Sequence, residues 1–311
     1  MKKTFLLIIA ILFTATIFAQ EQPFSQQYLF NQSLVNPAIA SRDNYIAVRF
    51  TDRHQWLGVS DAPVQQSLSV TNKFGKMGAG AIIYNEIYGP IRNSGIQFSY
   101  FYDVKLKADK IGSKLSFGIT GSIFQEMLDE TKLTTLEADP TITNSRQTAF
   151  YPNAGAGVFY YNKKFSLGLS VGNLIPSRVP IYTSEFEPSK ERTYIIYTDY
   201  TYSNEINTFA VIPSLLFKID EVGQKEININ SKVYFQNFLW VGASYRDALE
   251  TDIYKNQSMA ALLGLRIYER IYIGYSYDVE LNSFQTYNSG SHEFMLGGNI
   301  YTKKQSMPRY F

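Results

Sequence analysis

Long runs of alternating apolar and polar residues, with no helical periodicity of comparable length, constrain this chain more than any other feature. From Ile96 to Leu106 every even position is apolar or aromatic and most odd positions are polar. Leu115, Phe117 and Ile119 alternate with Ser116, Gly118 and Thr120, and Phe165, Leu167, Leu169 and Val171 with Ser166, Gly168, Ser170 and Gly172. A period of two puts one set of side chains on each face of a pleated strand. The chain is therefore expected to be all-β.

About fourteen strands are read from this pattern: 45–51, 64–74, 77–88, 94–106, 112–124, 153–161, 164–174, 193–203, 208–219, 225–236, 238–247, 258–267, 270–279 and 291–301. Most approach the roughly 9–11 residues that a tilted membrane strand needs, against a mean of about 5–6 in soluble proteins. Connections after even-numbered strands are expected to be tight: 75–76, 107–111, 162–163, 204–207, 237 and 268–269. Those after odd-numbered strands are expected to be longer: 52–63, 89–93, 125–152, 175–192, 220–224, 248–256 and 280–290. Short turns on one rim and long loops on the other are the habit of outer-membrane barrels, whose short turns are periplasmic. Both chain ends are then expected in the periplasm.

The N-terminus supplies the reason to think of a membrane. Lys2 and Lys3 precede a nearly unbroken apolar run from Phe5 to Phe18 that ends at Ala19-Gln20. This reads as a secretory signal peptide over residues 1–19, the alternative being a retained anchor. No later segment approaches the ~20 apolar residues of a spanning helix. An exported chain of alternating strands has one way to cross a bilayer, a closed barrel, because every backbone group must be paired internally. The expected organisation is a signal peptide (1–19), an N-terminal segment (20–43) and an outer-membrane antiparallel β-barrel (44–311).

Composition excludes several functions. The 311 residues contain no Cys and two His, so thiolate chemistry and the usual zinc or di-iron clusters are absent. Removing Lys2 and Lys3 leaves 27 basic residues against 27 acidic ones. With no basic stripe, nucleic acid is not an expected partner. No Walker A motif, dinucleotide fingerprint or EF-hand loop occurs, and no cofactor is expected. Gly168-Leu169-Ser170-Val171-Gly172 matches the GxSxG form of serine hydrolases. That motif needs a strand-to-helix turn, and here it lies inside an alternating strand. The neighbours His292 and Glu293 point to opposite faces of a strand and cannot converge on one ligand. The chain is expected to be non-enzymatic.

Charged residues share the parity opposite to the apolar set. Arg49 opposes Ile46, Val48 and Phe50; Asp103 opposes the even aromatics around it; Glu226 and Lys232 oppose Ile227, Ile229, Val233 and Phe235. Arg246, Arg266, Asp278 and Glu293 follow the same rule on the last four strands. A basic side chain on the lipid face at mid-bilayer costs about 2–4 kcal/mol. These eight residues are expected to form a mixed-sign interior lattice. Such a lattice favours a filled lumen over a selective pore, which would carry one sign.

The residues also resemble a known family. Gln22-Pro23-Phe24-Ser25-Gln26-Gln27-Tyr28-Leu29-Phe30-Asn31 followed by Asn36-Pro37-Ala38-Ile39-Ala40 is similar to the opening of the PorP/SprF family of the Bacteroidetes type IX secretion system. Gln55-Trp56, Ala62-Pro63, Ile212-Pro213-Ser214, Trp240 to Arg246, Gly274 to Asp278 and Ser291-His292-Glu293 continue the likeness in order. The chain departs from the family at Ile39, Ser41 and Gln65. The resemblance implies a barrel that assists secretion and surface retention of gliding adhesins with a type B C-terminal domain. It also implies partners in the translocon barrel and periplasmic subunits, beside the lipid bilayer. It brings no catalytic or cofactor residues.

Two segments are expected to matter. Residues 20–43, with Phe24, Tyr28, Phe30, Asn31, Asn36 and Pro37, form either a plug in the lumen or a periplasmic docking segment. The loop 125–152, with Glu126, Asp129, Glu130, Glu137 and Asp139, is either a solvated extracellular loop or a contact for an adhesin. Phe311 ends the chain on the aromatic typical of assembled barrels. A passive or selective diffusion channel is the alternative to the secretion role.

Overall fold

In the computed structural model the described residues are 27–42, 44–106, 112–133, 144–179, 181, 189–204, 208–236, 238–249, 257–268 and 270–301. The expected signal peptide, Phe24, Glu137, Asp139 and the C-terminal Phe311 lie outside them. Fourteen antiparallel strands make the barrel. They are β1 Ile46–His54, β2 Val64–Phe74, β3 Met77–Tyr88, β4 Ile91–Lys105, β5 Lys114–Asp129, β6 Arg146–Tyr161 and β7 Phe165–Gly172. They continue with β8 Thr193–Tyr200, β9 Phe209–Asp220, β10 Lys225–Phe235, β11 Leu239–Ala248, β12 Gln257–Ile267, β13 Ile271–Glu280 and β14 Ser291–Ile300.

Each strand pairs with its neighbours in sequence. The sheet closes where β1 meets β14, in register from Ile46↔Ile300 to His54↔His292. Closure gives every strand two partners, the condition that lipid imposes on backbone amides. A two-residue strand at Tyr202–Ser203 prolongs β8 along β9.

Parity is as expected. Ile83, Ile119, Leu263, Phe294 and Leu296 are among the half-exposed side chains of the outer face. On β11 to β14, Trp240, Arg246, Arg266, Asp278 and Glu293 point inward and are buried. Charges of outward parity, such as Asp52, Arg92 and Asp247, sit near strand ends. At one register Asp52, Gln66, Asn85, Ser94 and Gln125 carry a polar row across β1 to β5, toward the long-loop rim.

The structure moves several boundaries. β1 runs to His54 rather than 51, which brings Arg53 into the wall. β5 continues to Asp129 and β6 begins at Arg146, so the connection expected at 125–152 shrinks to 130–145. Pro152 concealed the start of β6, because proline cannot donate to a ladder and signals a strand boundary; it stands inside β6 on the outer face. The connection expected at 89–93 is the two-residue turn Gly89-Pro90. That between β4 and β5 is longer than expected, at 106–113. Gly75 and Gly89 have φ of +68° and +54°, a left-handed conformation that glycine adopts without a Cβ clash. The tall strands β4 to β6, of 15–16 residues, exceed the roughly 9–11 that cross a bilayer and raise one side of the long-loop rim.

Replacing Leu263, at the middle of β12 on the outer face, by Arg should destabilise the barrel in lipid by about 2–4 kcal/mol. Equilibrium urea unfolding in liposomes measures this, and a neutral result would contradict the assigned facing.

Candidate functional site

A fourteen-stranded barrel is wider than the roughly eight strands whose side chains alone can fill the interior. Here the chain fills the space with its own N-terminal segment. A helical turn at Gln27–Phe30 and 3-10 helices at Gln32–Leu34 and Pro37–Arg42 fold inside the lumen. Tyr28, Leu29, Val35, Ala38 and Ile39 are buried there against Phe159, Tyr161, Tyr197, Ile212, Leu216, Tyr234, Trp240 and Leu262. Phe30 stacks obliquely on Trp240 at 5.1 Å. The protein's main apolar core is therefore within the barrel.

Side chains of the wall hold the main chain of this plug. Lys232 Nζ donates to the Leu29 carbonyl at 3.1 Å, and Ser170 Oγ to that of Val35 at 2.6 Å. Lys73 Nζ donates to the Ser41 carbonyl at 2.5 Å, and the Tyr161 hydroxyl oxygen lies 3.1 Å from the same carbonyl. In the other direction, Asn36 Nδ2 donates to the carbonyls of Val158 and Leu169, each at 3.1 Å. Arg42 pairs with Asp199 at 2.9 Å. These bonds satisfy carbonyls that a short irregular segment cannot pair within itself.

Glycines make the seat. A Cβ on Gly118 would lie 2.5 Å from the Ala38 nitrogen and 2.7 Å from the Pro37 carbonyl carbon; one on Gly157 would lie 2.1 Å from Asn36 Oδ1. Gly118 and Gly157 face each other across β5 and β6, so Asn36-Pro37-Ala38 rests on bare backbone. Of the residues expected in a docking segment, Tyr28, Phe30, Asn31, Asn36 and Pro37 are thus inside the lumen, turned away from a partner outside it.

The eight expected lattice residues do not form one cluster. Asp278 and Glu293 share Arg53, at 2.9 and 3.2 Å. Arg246 donates to Asn228 at 3.1 Å and lies 3.7 Å from Glu226. Asp103 is paired with Lys73 and accepts from the Tyr161 hydroxyl at 2.8 Å. Lys232 serves the plug. Arg49 donates to Asn299 Oδ1 at 2.8 Å and lies over the Tyr272 ring. Arg266 is buried near the end of β12. Arg53, Lys73 and Asp199 complete these groups and were not read from the sequence. Lys73 and Asp199 have the inward parity of strands that were read. Arg53 fell beyond the expected end of β1.

Charge is unevenly placed along the axis. In the short-turn half, Arg42, Arg49, Lys73, Lys232 and Arg266 accompany Asp103 and Asp199. In the long-loop half, Arg53, Lys218 and Arg246 accompany Glu86, Glu126, Asp220, Glu226, Asp278 and Glu293. A cavity in the short-turn half is lined by Arg42, Arg49, Lys232, Tyr45, Tyr234 and Trp240. A second, beyond the plug, is lined by hydroxyls and amides such as Thr120, Ser122, Asn153, Ser170 and Thr193.

At the long-loop end the connection between β7 and β8 turns inward. A two-stranded ribbon pairs Ser177–Arg178 with Ser189–Lys190. Val179 and Ile181 are buried against Leu128, Ala149 and Tyr151. Lys190 reaches Glu126 at 3.5 Å. Glu126, Asp129 and Glu130, expected on a solvated loop or adhesin contact, are buried. Asp129 is held by Thr131 at 2.5 Å and Arg146 at 3.0 Å, and Glu130 by Gln147 at 2.5 Å. The longer strands cause this correction: Glu126 and Asp129 belong to β5.

The GxSxG serine has no relay. Ser170 is in β7 with its hydroxyl committed to the plug. His54 bonds Asp52 at 3.0 Å and His292 bonds the Tyr275 hydroxyl at 2.6 Å, both with the parity opposite to the lumen-facing set.

Over residues 17–297 the sequence matches the family described as type IX secretion system membrane protein PorP/SprF. Among curated proteins none matches. The fold is similar to that of the CymD monoaromatic hydrocarbon channel, with 10% identity over 92% of this chain and 95% of that one, and a TM-score of 0.55. A Pseudomonas aeruginosa FadL homologue gives 10% identity, the same coverages and a TM-score of 0.50.

Two substitutions test the site. Gly118→Val should leave a folded barrel whose residues 28–42 become open to protease; a protected plug would contradict the seat. Arg53→Met should cost about 3–5 kcal/mol in urea unfolding, because Asp278 and Glu293 are left buried without their cation.

Proposed function

The chain belongs to the PorP/SprF family of type IX secretion system membrane proteins, and from that premise we propose that it retains adhesin-type cargo at the outer membrane as a closed scaffold. In this reading a signal peptide exports the chain, both ends and the short turns are periplasmic, and the long loops face outward. The cargo is a secreted gliding adhesin engaged through its type B C-terminal domain. The translocon barrel and periplasmic subunits are its other partners. The protein performs no catalysis.

The observation that supports a scaffold over a conduit is the occupied lumen. Residues 27–42 fill it from one side with a buried apolar core, and Val179 and Ile181 pack into it on the other. A diffusing solute would have to displace both. The mixed signs of the interior fit the same reading, since the pairs around Arg53 and Arg246 neutralise charge that a selective pore would display.

Affinity purification of a tagged copy from native outer membranes should recover a large adhesin and secretion-system subunits. Recovery of the barrel alone from gently solubilised membranes would count against the proposal. In planar bilayers the intact protein should give no steady conductance, whereas Gly118→Val should open to ions. Steady conductance from the intact protein would favour the channel. An active-site serine probe should leave Ser170 unlabelled.

A further inference from the structure

We propose that the cavity between the plug and the short-turn half of the wall is an oxyanion site, taking a carboxylate or phosphate group between Arg49 and Lys232. Both residues are buried, at 7% and 4% exposure, and both line this cavity. Neither has a carboxylate within 4 Å among the described residues. Arg49 donates only to neutral acceptors, the Val48 and Gly298 carbonyls and Asn299 Oδ1. Lys232 donates only to the Leu29 carbonyl.

A buried cation without a counter-charge in contact is costly, and carboxylates contact several of the chain's other interior cations. Arg53 has Asp278 and Glu293, Lys73 has Asp103, and Arg42, which borders the same cavity, has Asp199. Arg49 and Lys232 meet at one cavity, and no acidic residue lines it. The remaining polar lining can complete an oxyanion's shell. Ser69, Thr71 and Tyr45 carry hydroxyls, Gln32 and Asn31 carry amides, and Trp240 stands beside them. The cavity beyond the plug has no cation in its lining, so the property belongs to one end of the lumen. A free solute anion and the carboxylate of a chain end offer the same chemistry to this pair.

The test uses the full-length barrel in detergent, with thermal unfolding followed at constant ionic strength as chloride is exchanged for inorganic phosphate or acetate. A saturable rise in Tm is expected for the unaltered protein. Ser69 faces Arg49 across β1 and β2, so Ser69→Asp places a carboxylate at the site while retaining an acceptor for the Asn31 amide. That variant should be more stable than the parent and should no longer respond to phosphate. Arg49→Gln should lose the response, with at least a tenfold weaker half-saturation. A short peptide acid compared with its C-terminal amide separates the two sources. Stabilisation by the acid alone, at concentrations where phosphate is silent, assigns a chain end, and stabilisation by phosphate assigns a free oxyanion. Equal Tm in phosphate, acetate, the peptide acid and chloride, or a Ser69→Asp variant that still responds like the parent, would overturn the proposal.

Discussion

A bilayer gives the backbone no hydrogen-bond partner, so a chain that crosses it by strands must close its sheet. In this protein closure is made by the β1–β14 ladder, and fourteen strands fix the circumference. Everything inside follows from that width. The wall's own side chains cannot meet across the lumen, and an interior left to water would be a pore. The chain resolves this by folding residues 27–42 back into the barrel, so that the apolar core lies inside the wall.

Such a core requires different solutions from those of a soluble domain. The plug has too few residues to form regular structure that satisfies its own carbonyls, so Lys73, Ser170 and Lys232 reach out from the wall to do it. The plug must also approach the wall closely, which explains glycines at Gly118 and Gly157, where any side chain would collide with Ala38 or Asn36. The polar lattice is consequently divided. Part of it clamps the plug, and part, around Arg53 and Arg246, crosslinks β1, β10, β11, β13 and β14 by charge. That division leaves Arg49 and Lys232 as cations with neutral partners beside a cavity.

Much of the wall was legible in the sequence. Alternation located β2 and β3 to the residue and fixed the facing of Arg49, Asp103, Arg246 and Glu293, because a strand's period of two has only one phase that keeps charge from lipid. Strand ends were less legible. The strand expected from 153 begins at Arg146, because a single proline on the outer face of a long strand, Pro152, is tolerated inside it. Arg53 lay two residues past the expected end of β1, so the cation that holds Asp278 and Glu293 was missed. The acidic set at Glu126 and Asp129 was assigned to a loop for the same reason.

By itself the sequence determined a closed membrane barrel of about fourteen strands and which parity faces the lumen, since both depend on local periodicity and the absence of any spanning helix. It did not determine which interior charges meet. Neighbours such as Arg53, Asp278 and Glu293 are separated by up to 240 residues and meet only through register and closure. Nor did it decide whether residues 27–42 lie inside the barrel or outside it. Their composition suits both places, and only the tertiary fit of Asn36-Pro37-Ala38 to two facing glycines puts them in the lumen.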